Sequence, residues 1–145
     1  MSDTKMDGAQ ALIKTLADLG IEYIFGYSGG AAIPIFDALE TVKTNMKFIL
    51  VRHEQGAVHM ADGYARATGK PAVVLVTSGP GAGNTVTGLM TAQMDSVPMI
   101  VLCGQQVTWM LGKDAFQEAD IFNITAPVVK HNFLVKSSNA LPRIA

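Results

Sequence analysis

The sequence has one cysteine, one tryptophan, 7% aromatic residues and almost no net charge, with 11 basic and 12 acidic side chains giving −1 at pH 7. The lone Cys103 cannot form an internal disulfide. It lies in the apolar run Pro98-Met99-Ile100-Val101-Leu102-Cys103, where it reads as a buried structural thiol of a reducing, cytoplasmic-type compartment. Without a basic excess, the electrostatic footprint of a nucleic-acid or anionic-membrane binder is missing. The N-terminal residues Met1-Ser2-Asp3-Thr4-Lys5-Met6-Asp7 carry no basic-then-apolar signal. No run approaches the roughly 18 apolar residues of a membrane span, so neither a membrane nor a nucleic acid is an expected partner. No His/Cys/Asp spacing suggests a metal site, and no Ser-centred elbow of the hydrolase type is present. The single sequon Asn123-Ile124-Thr125 carries no weight in that compartment. What remains is 145 residues, 49% hydrophobic and 16% charged, enough for one packed domain, with small neutral or anionic ligands left open.

Asp7 and Gln10 have the spacing of a capping box, and Leu12, Leu16 and Leu19 follow at helical intervals before Gly20, predicting a helix over 8–19. Glu22-Tyr23-Ile24-Phe25 is a short β-prone run closed by Gly26-Tyr27-Ser28-Gly29-Gly30, after which Ile33, Phe36 and Leu39 recur at helical spacing. The unit then repeats. Residues 47–51 form a strand, and Glu54, Ala57, Val58, Ala61, Tyr64 and Ala65 mark one stripe of a helix stopping at Gly69. Residues 71–76 form a third strand and 99–103 a fourth, with a helix between them whose inner side is expected to carry Val86, Leu89, Met90 and Met94. Near-continuous apolar strands separated by helices predict an α/β three-layer sandwich, a central parallel sheet with helices on both faces. Ser137-Ser138-Asn139 reads as a helix cap and Leu141-Pro142-Arg143-Ile144-Ala145 as that helix's first turn, so the domain spanning 1–145 is expected to be incomplete at its C-terminus.

Ligands of parallel sheets sit beyond the carboxyl ends of the strands. Here those ends carry Gly26-Tyr27-Ser28-Gly29-Gly30, Arg52-His53-Glu54, residues 77–84 and Gly104-Gln105. Glu54 opens a helix directly after a strand. It reads either as a solvated carboxylate favoured by the helix dipole or as a partly buried acid able to share a proton with a ligand nitrogen. His53 reads as a turn residue. Gly79-Pro80-Gly81-Ala82-Gly83-Asn84 lacks the Lys-Ser/Thr ending of a P-loop and, taken alone, reads as a tight strand-to-helix turn. Phe116-Gln117-Glu118-Ala119-Asp120 offers an aromatic ring and an amide beside acids, either a polar-substrate contact or a solvated acidic turn.

Together, Phe25-Gly26-Tyr27-Ser28-Gly29-Gly30, Arg52-His53-Glu54-Gln55-Gly56-Ala57, Asp62-Gly63-Tyr64-Ala65-Arg66-Ala67-Thr68-Gly69-Lys70-Pro71, Thr77-Ser78-Gly79-Pro80-Gly81-Ala82-Gly83-Asn84 and Asp114-Ala115-Phe116-Gln117-Glu118-Ala119-Asp120-Ile121 resemble the N-terminal, pyrimidine-binding domain of thiamine-diphosphate enzymes. Within that family the chain is most similar to the catalytic subunits of acetohydroxyacid (acetolactate) synthases. The run Ala115-Phe116-Gln117-Glu118-Ala119-Asp120 separates it from pyruvate oxidases, oxalyl-CoA decarboxylases and glyoxylate carboligases. The resemblance covers residues 8–144 in order. It implies that Glu54 is the catalytic carboxyl bonded to N1′ of the cofactor's aminopyrimidine, a proton-sharing contact that favours the imino tautomer able to deprotonate the thiazolium C2. It also implies cofactor contacts from Tyr27, Thr77, Pro80 and Asn84, and substrate contacts from Gly30, Ala31, Phe116 and Gln117. Ser28 stands where the family usually has proline, Lys113 where it has threonine, Gln106-Val107 where it has Val-Pro, and Gly83 where threonine is common.

By the same resemblance, thiamine diphosphate sits in a shared site, with diphosphate and Mg2+ held by a later Gly-Asp-Gly…Asn domain and FAD by a middle domain. The partners implied are that diphosphate-binding domain or subunit, a second copy in a homodimer, and a small 2-keto acid. The implied reaction is carboligation of pyruvate with a second 2-keto acid in branched-chain amino-acid biosynthesis, in the cytoplasm or, after transit-peptide removal, an organellar stroma or matrix. The alternatives are a non-catalytic assembly module that keeps the fold, or another thiamine-diphosphate 2-keto acid decarboxylase or carboligase.

Overall fold

The computed structural model describes residues 6–144; residues 1–5 of the stretch read for a targeting signal, and Ala145, lie outside the described residues. Four parallel strands, β1 (Tyr23–Gly26), β2 (Lys47–Leu50), β3 (Ala72–Val76) and β4 (Met99–Cys103), lie in the order β2-β1-β3-β4. Phe25 pairs with both Ile49 and Val74, and Val74 in turn with Val101. All five residues of β3 are buried, which is why the strand reads as an unbroken apolar run and not as an alternating one.

The two-residue period of the strands divides the core into two layers. Ile24, Val73 and Leu75 face a cluster with Leu12, Ile13 and Leu16 of helix α1 (Gly8–Asp18) and Ala38 of α2 (Ile33–Thr41). Phe25, Ala72, Val74 and Val76 face the other, with Ala57, Val58 and Ala61 of α3 (Glu54–Thr68) and Ala82 of α4 (Pro80–Gly83). Helices therefore cover both faces, as the strand pattern predicts. The order continues through α5 (Val86–Met94), α6 (Ile121–Thr125) and α7 (Leu141–Ile144).

The local stop and start signals operate as expected. Asp7 accepts the Gln10 N–H at 2.8 Å while Gln10 Oε1 accepts the Asp7 N–H at 3.2 Å, closing the capping box of α1. Gly69 ends α3 at φ +70°, the left-handed region that a side chain disfavours. Arg66 near the end of α3 bonds Asp62 at 2.8 Å and reaches Asp95 past the end of α5 at 2.6 Å. Burial of Cys103 pushes its thiol up to about 12, as expected of a structural residue.

Two expectations are corrected. The inner side of α5 carries Gly88, Leu89 and Ala92, whereas Met90 and Met94 are exposed. The reason is close packing: a Cβ on Gly88 would lie 2.6 Å from Val58 Cγ1, so α5 meets α3 through its small residues. At the C-terminus Leu141–Ile144 is helical as expected, but a 3₁₀ turn over Ser138–Ala140, closed by the Ala140 N–H on the Ser137 carbonyl, precedes it, and Ser137 makes no side-chain cap bond.

The outer edge of β4 has no strand partner among the described residues, and all five of its residues are half-buried. A cavity of about 900 Å³ runs beside it, with residues 128–135 forming a further wall. Among the described residues no helix is long and apolar enough to cross a membrane.

Two glycines of α3 make opposite predictions. A Cβ on Gly63 meets open space inside the helix, so Gly63→Ala is expected to stabilise the chain by about 0.5–1 kcal/mol. Gly69→Ala must hold a positive φ and is expected to destabilise it by about 1–2 kcal/mol. Urea midpoints of the two variants check both signs.

Candidate functional site

The loops that leave the four strands converge at one edge of the sheet. Glu54 is the first residue of α3, just past β2. His53, the N-cap, accepts the Gln55 N–H on Nδ1 at 3.2 Å, a contact that fits a turn residue. The helix N-terminus favours a carboxylate at position 54, yet Glu54 is not a freely solvated one. It is half-buried, its Oε2 accepts a hydrogen bond from Asn84 Nδ2 at 2.9 Å, and its Oε1 lies 3.3 Å from where a Cβ on Gly81 would stand.

Thr77 follows β3 and is held between two glycines. A Cβ on Gly29, in the loop after β1, would overlap the Thr77 Cβ, and one on Gly81 would lie 2.7 Å from Thr77 Cγ2. The Thr77 Oγ1 is buried and has no hydrogen-bond partner. Leaving a buried hydroxyl unpaired costs about 1–3 kcal/mol, so this atom marks a place where a ligand supplies the missing bond. An acceptor carboxylate, an unpaired hydroxyl and side-chain-free turns form a cradle suited to a flat, nitrogen-bearing ring. Among the described residues no group of three His, Cys, Asp or Glu side chains is arranged to hold a metal ion.

A second loop rests on this cradle. Gly79 has φ +53°, and a Cβ there would fall on the carbonyl oxygen of Gln117. Gln117 itself has φ +55° and Asp114 φ +52°. Left-handed backbone in residues other than glycine costs roughly 1–2 kcal/mol each, and the surrounding bonds maintain it. The Glu118 N–H bonds the Ala115 carbonyl at 2.9 Å, closing a turn over 115–118. Glu118 Oε1 accepts the Gly112 N–H at 2.6 Å and Oε2 the Ala115 N–H at 2.9 Å. Those amides, Gly112 first, hold its carboxyl below the ordinary glutamate value. Gln106 Nε2 donates to the Phe116 carbonyl at 2.5 Å, and the Phe116 ring stands 82% exposed at the tip of the turn.

The structure thus joins Glu54 to Asn84 directly, places Thr77 and the Glu54 carboxylate both beside Gly81, and sets the Gln117 backbone against Gly79. Ala31 belongs to the 3₁₀ turn Gly30–Ala32 and packs on Gly104 beyond β4, where an added Cβ would come within 2.7 Å of its carbonyl carbon. Tyr27 and Pro80 are exposed on the loops after β1 and β3. The acids of 116–120 lie at the surface, as a solvated turn would have them, but each also holds backbone: Glu118 is engaged by two amides and Asp120 caps α6 through the Asn123 N–H at 3.2 Å and Nδ2 at 2.6 Å. Glu118 and Gln106 were missed as loop-holding residues. Their partners lie three to ten residues away in irregular backbone, where no spacing rule applies.

Thr77→Val removes the unpaired hydroxyl and is expected to raise the stability of the ligand-free chain by about 1 kcal/mol while weakening ligand binding. Unfolding and binding titrations of the same sample check the two opposite changes. Gly79→Ala is expected to lower stability by at least about 1–2 kcal/mol, since it adds left-handed strain to a backbone collision. A unchanged urea midpoint would contradict the described contact with Gln117.

Residues 6–124 match the family described as "Thiamine pyrophosphate enzyme, N-terminal TPP binding domain". The acetolactate synthase large subunit of Haemophilus influenzae is 55% identical over 138 residues, covering 95% of this chain and 24% of that protein. The acetolactate synthase isozyme 3 large subunit of Escherichia coli is 55% identical over 139 residues, covering 96% and 24%. The acetolactate synthase of Mycobacterium bovis is 52% identical over 140 residues, covering 97% and 22%. The chain spans about a quarter of the length of the curated relatives it matches. Because that family match takes in most of the sequence, the chain belongs to the thiamine pyrophosphate enzymes, as their N-terminal TPP-binding domain.

Proposed function

We propose that this chain is the pyrimidine-binding part of an acetolactate synthase, active when joined to the remaining domains of such an enzyme. The observation that carries the reading is the placement of the Glu54 carboxylate beside Thr77 and Gly81, with Asn84 as its hydrogen-bond donor. The donor set fits the aminopyrimidine of thiamine diphosphate: the buried Thr77 Oγ1 lacks a hydrogen-bond partner, and the Glu54 carboxylate beside Gly81 can pair with a ring nitrogen.

When bound, thiamine diphosphate supplies the nucleophilic carbon and electron sink that decarboxylation of a 2-keto acid requires. The chain's own contribution is to bind, orient and move a proton. Glu54 shares a proton with the ring nitrogen of the aminopyrimidine, and Asn84 fixes the direction of its carboxylate. Thr77, Tyr27 and Pro80 border the ring. Gly30, Ala31, Phe116 and Gln117 would border the 2-keto acid, Gln117 from a turn braced against Gly79. The diphosphate, Mg2+ and FAD belong to the rest of the enzyme, as does the second copy of a homodimer. Relatives about four times longer than this chain, whose names specify acetolactate synthases, support the presence of such further domains. The near-neutral charge and the single, half-buried thiol agree with a biosynthetic role in the cytoplasm or an organellar matrix.

The test joins this chain to the remaining domains of a relative such as the E. coli isozyme 3 large subunit and measures acetolactate formed from pyruvate. Glu54→Gln in the joined enzyme is expected to lower the rate by about two to four powers of ten, the contribution typical of a positioned acid or base. An unchanged rate, with assembly intact, would instead support a non-catalytic assembly module.

A further inference from the structure

The turn that carries Phe116 and Gln117 is wound in a manner its own sequence does not favour. Gly112, Asp114 and Gln117 all have positive φ, at +77°, +52° and +55°, within six residues. Two of these three are not glycines, and Phe116 keeps a large apolar ring exposed. A loop of this kind relaxes unless further bonds beyond its own backbone closure hold it. Glu118 is the group in the right place: its two carboxylate oxygens accept N–H groups from opposite ends of the preceding segment, at Gly112 and Ala115, while its own N–H closes the turn on the Ala115 carbonyl. Gln117 then lies with its backbone against Gly79, at the edge of the cradle that contains Glu54.

We propose that Glu118 is a positioning residue for the 2-keto acid: its carboxylate clasps the Gly112 and Ala115 amides and thereby sets the height and angle at which Phe116 and Gln117 meet the substrate. The proposal rests on the acetolactate synthase reading for the identity of the substrate, whereas the clasp itself rests on geometry alone. Glu118 touches neither cofactor nor the reacting atoms. Its effect passes through the turn, so it bears on substrate affinity and not on the proton shared by Glu54. A glutamine at 118 keeps the shape but offers one acceptor oxygen in place of two. An aspartate keeps the charge but is one methylene too short to span both amides.

The experiment uses the joined enzyme described above and the variants Glu118→Gln and Glu118→Asp. Each is expected to raise KM for pyruvate about tenfold, the effect of losing one charge-assisted hydrogen bond, with kcat and the thiamine diphosphate Kd changed by less than about threefold. Hydrogen exchange at the Gly112 and Ala115 amides is expected to accelerate by about tenfold or more while amides of β3 stay protected. A KM equal to the parent's, or exchange at Gly112 and Ala115 equal to the parent's, overturns the proposal. So does a parallel loss of cofactor binding and β3 protection, which marks a general folding role. Should the parent joined enzyme make no acetolactate, the functional reading fails, and exchange at the two amides still decides whether Glu118 clasps the turn.

Discussion

Thr77 leaves the buried strand β3 into a space bounded by Gly29 and Gly81, and neither position has room for even a methyl group. That confinement draws three loops together. It brings the turn after β1 and the start of α4 onto a single side chain, with the Glu54 carboxylate alongside. Any side chain at 29 or 81 would separate the loops and withdraw the carboxylate from the unpaired hydroxyl. Close backbone approach, made possible by glycine, is therefore what turns three strand ends into one cradle.

The cradle is rigid where chemistry needs direction and open where a ligand must enter. Glu54 is oriented from two sides, by the helix start and by Asn84. The Phe116 and Gln117 turn is held by backbone amides, a side-chain amide and a glycine contact, so its unfavourable φ values persist before any ligand arrives. Preorganisation of this kind reduces the ordering required on binding.

The strand and helix pattern was legible because it depends on nearest neighbours along the chain. The Asp7 and Gln10 capping box, the left-handed stop at Gly69 and the continuous apolar run of β3 each follow from local rules that the tertiary structure leaves intact. Helix α5 was misread on its inner face because hydrophobicity favours Met90 and Met94, while the contact with Val58 selects Gly88 for its size. The candidate residues were legible as a set through their motifs, not through spacing, since Glu54, Thr77, Asn84 and Gln117 come from separate loops. Glu118 and Asp120 looked like solvated acids, and their amide partners depend on a loop path that no periodicity encodes.

By itself the sequence determined the succession of strands and helices, the parallel sheet, and the gathering of unusual residues at one sheet edge, because chain-local periodicity and stop signals govern all three. Only the tertiary structure decided which oxygen of Glu54 meets Asn84, which hydroxyl is left without a partner, and which acid holds the Phe116 turn. Those outcomes arise from distances of a few ångströms between loops far apart in the chain, and such distances are set by packing.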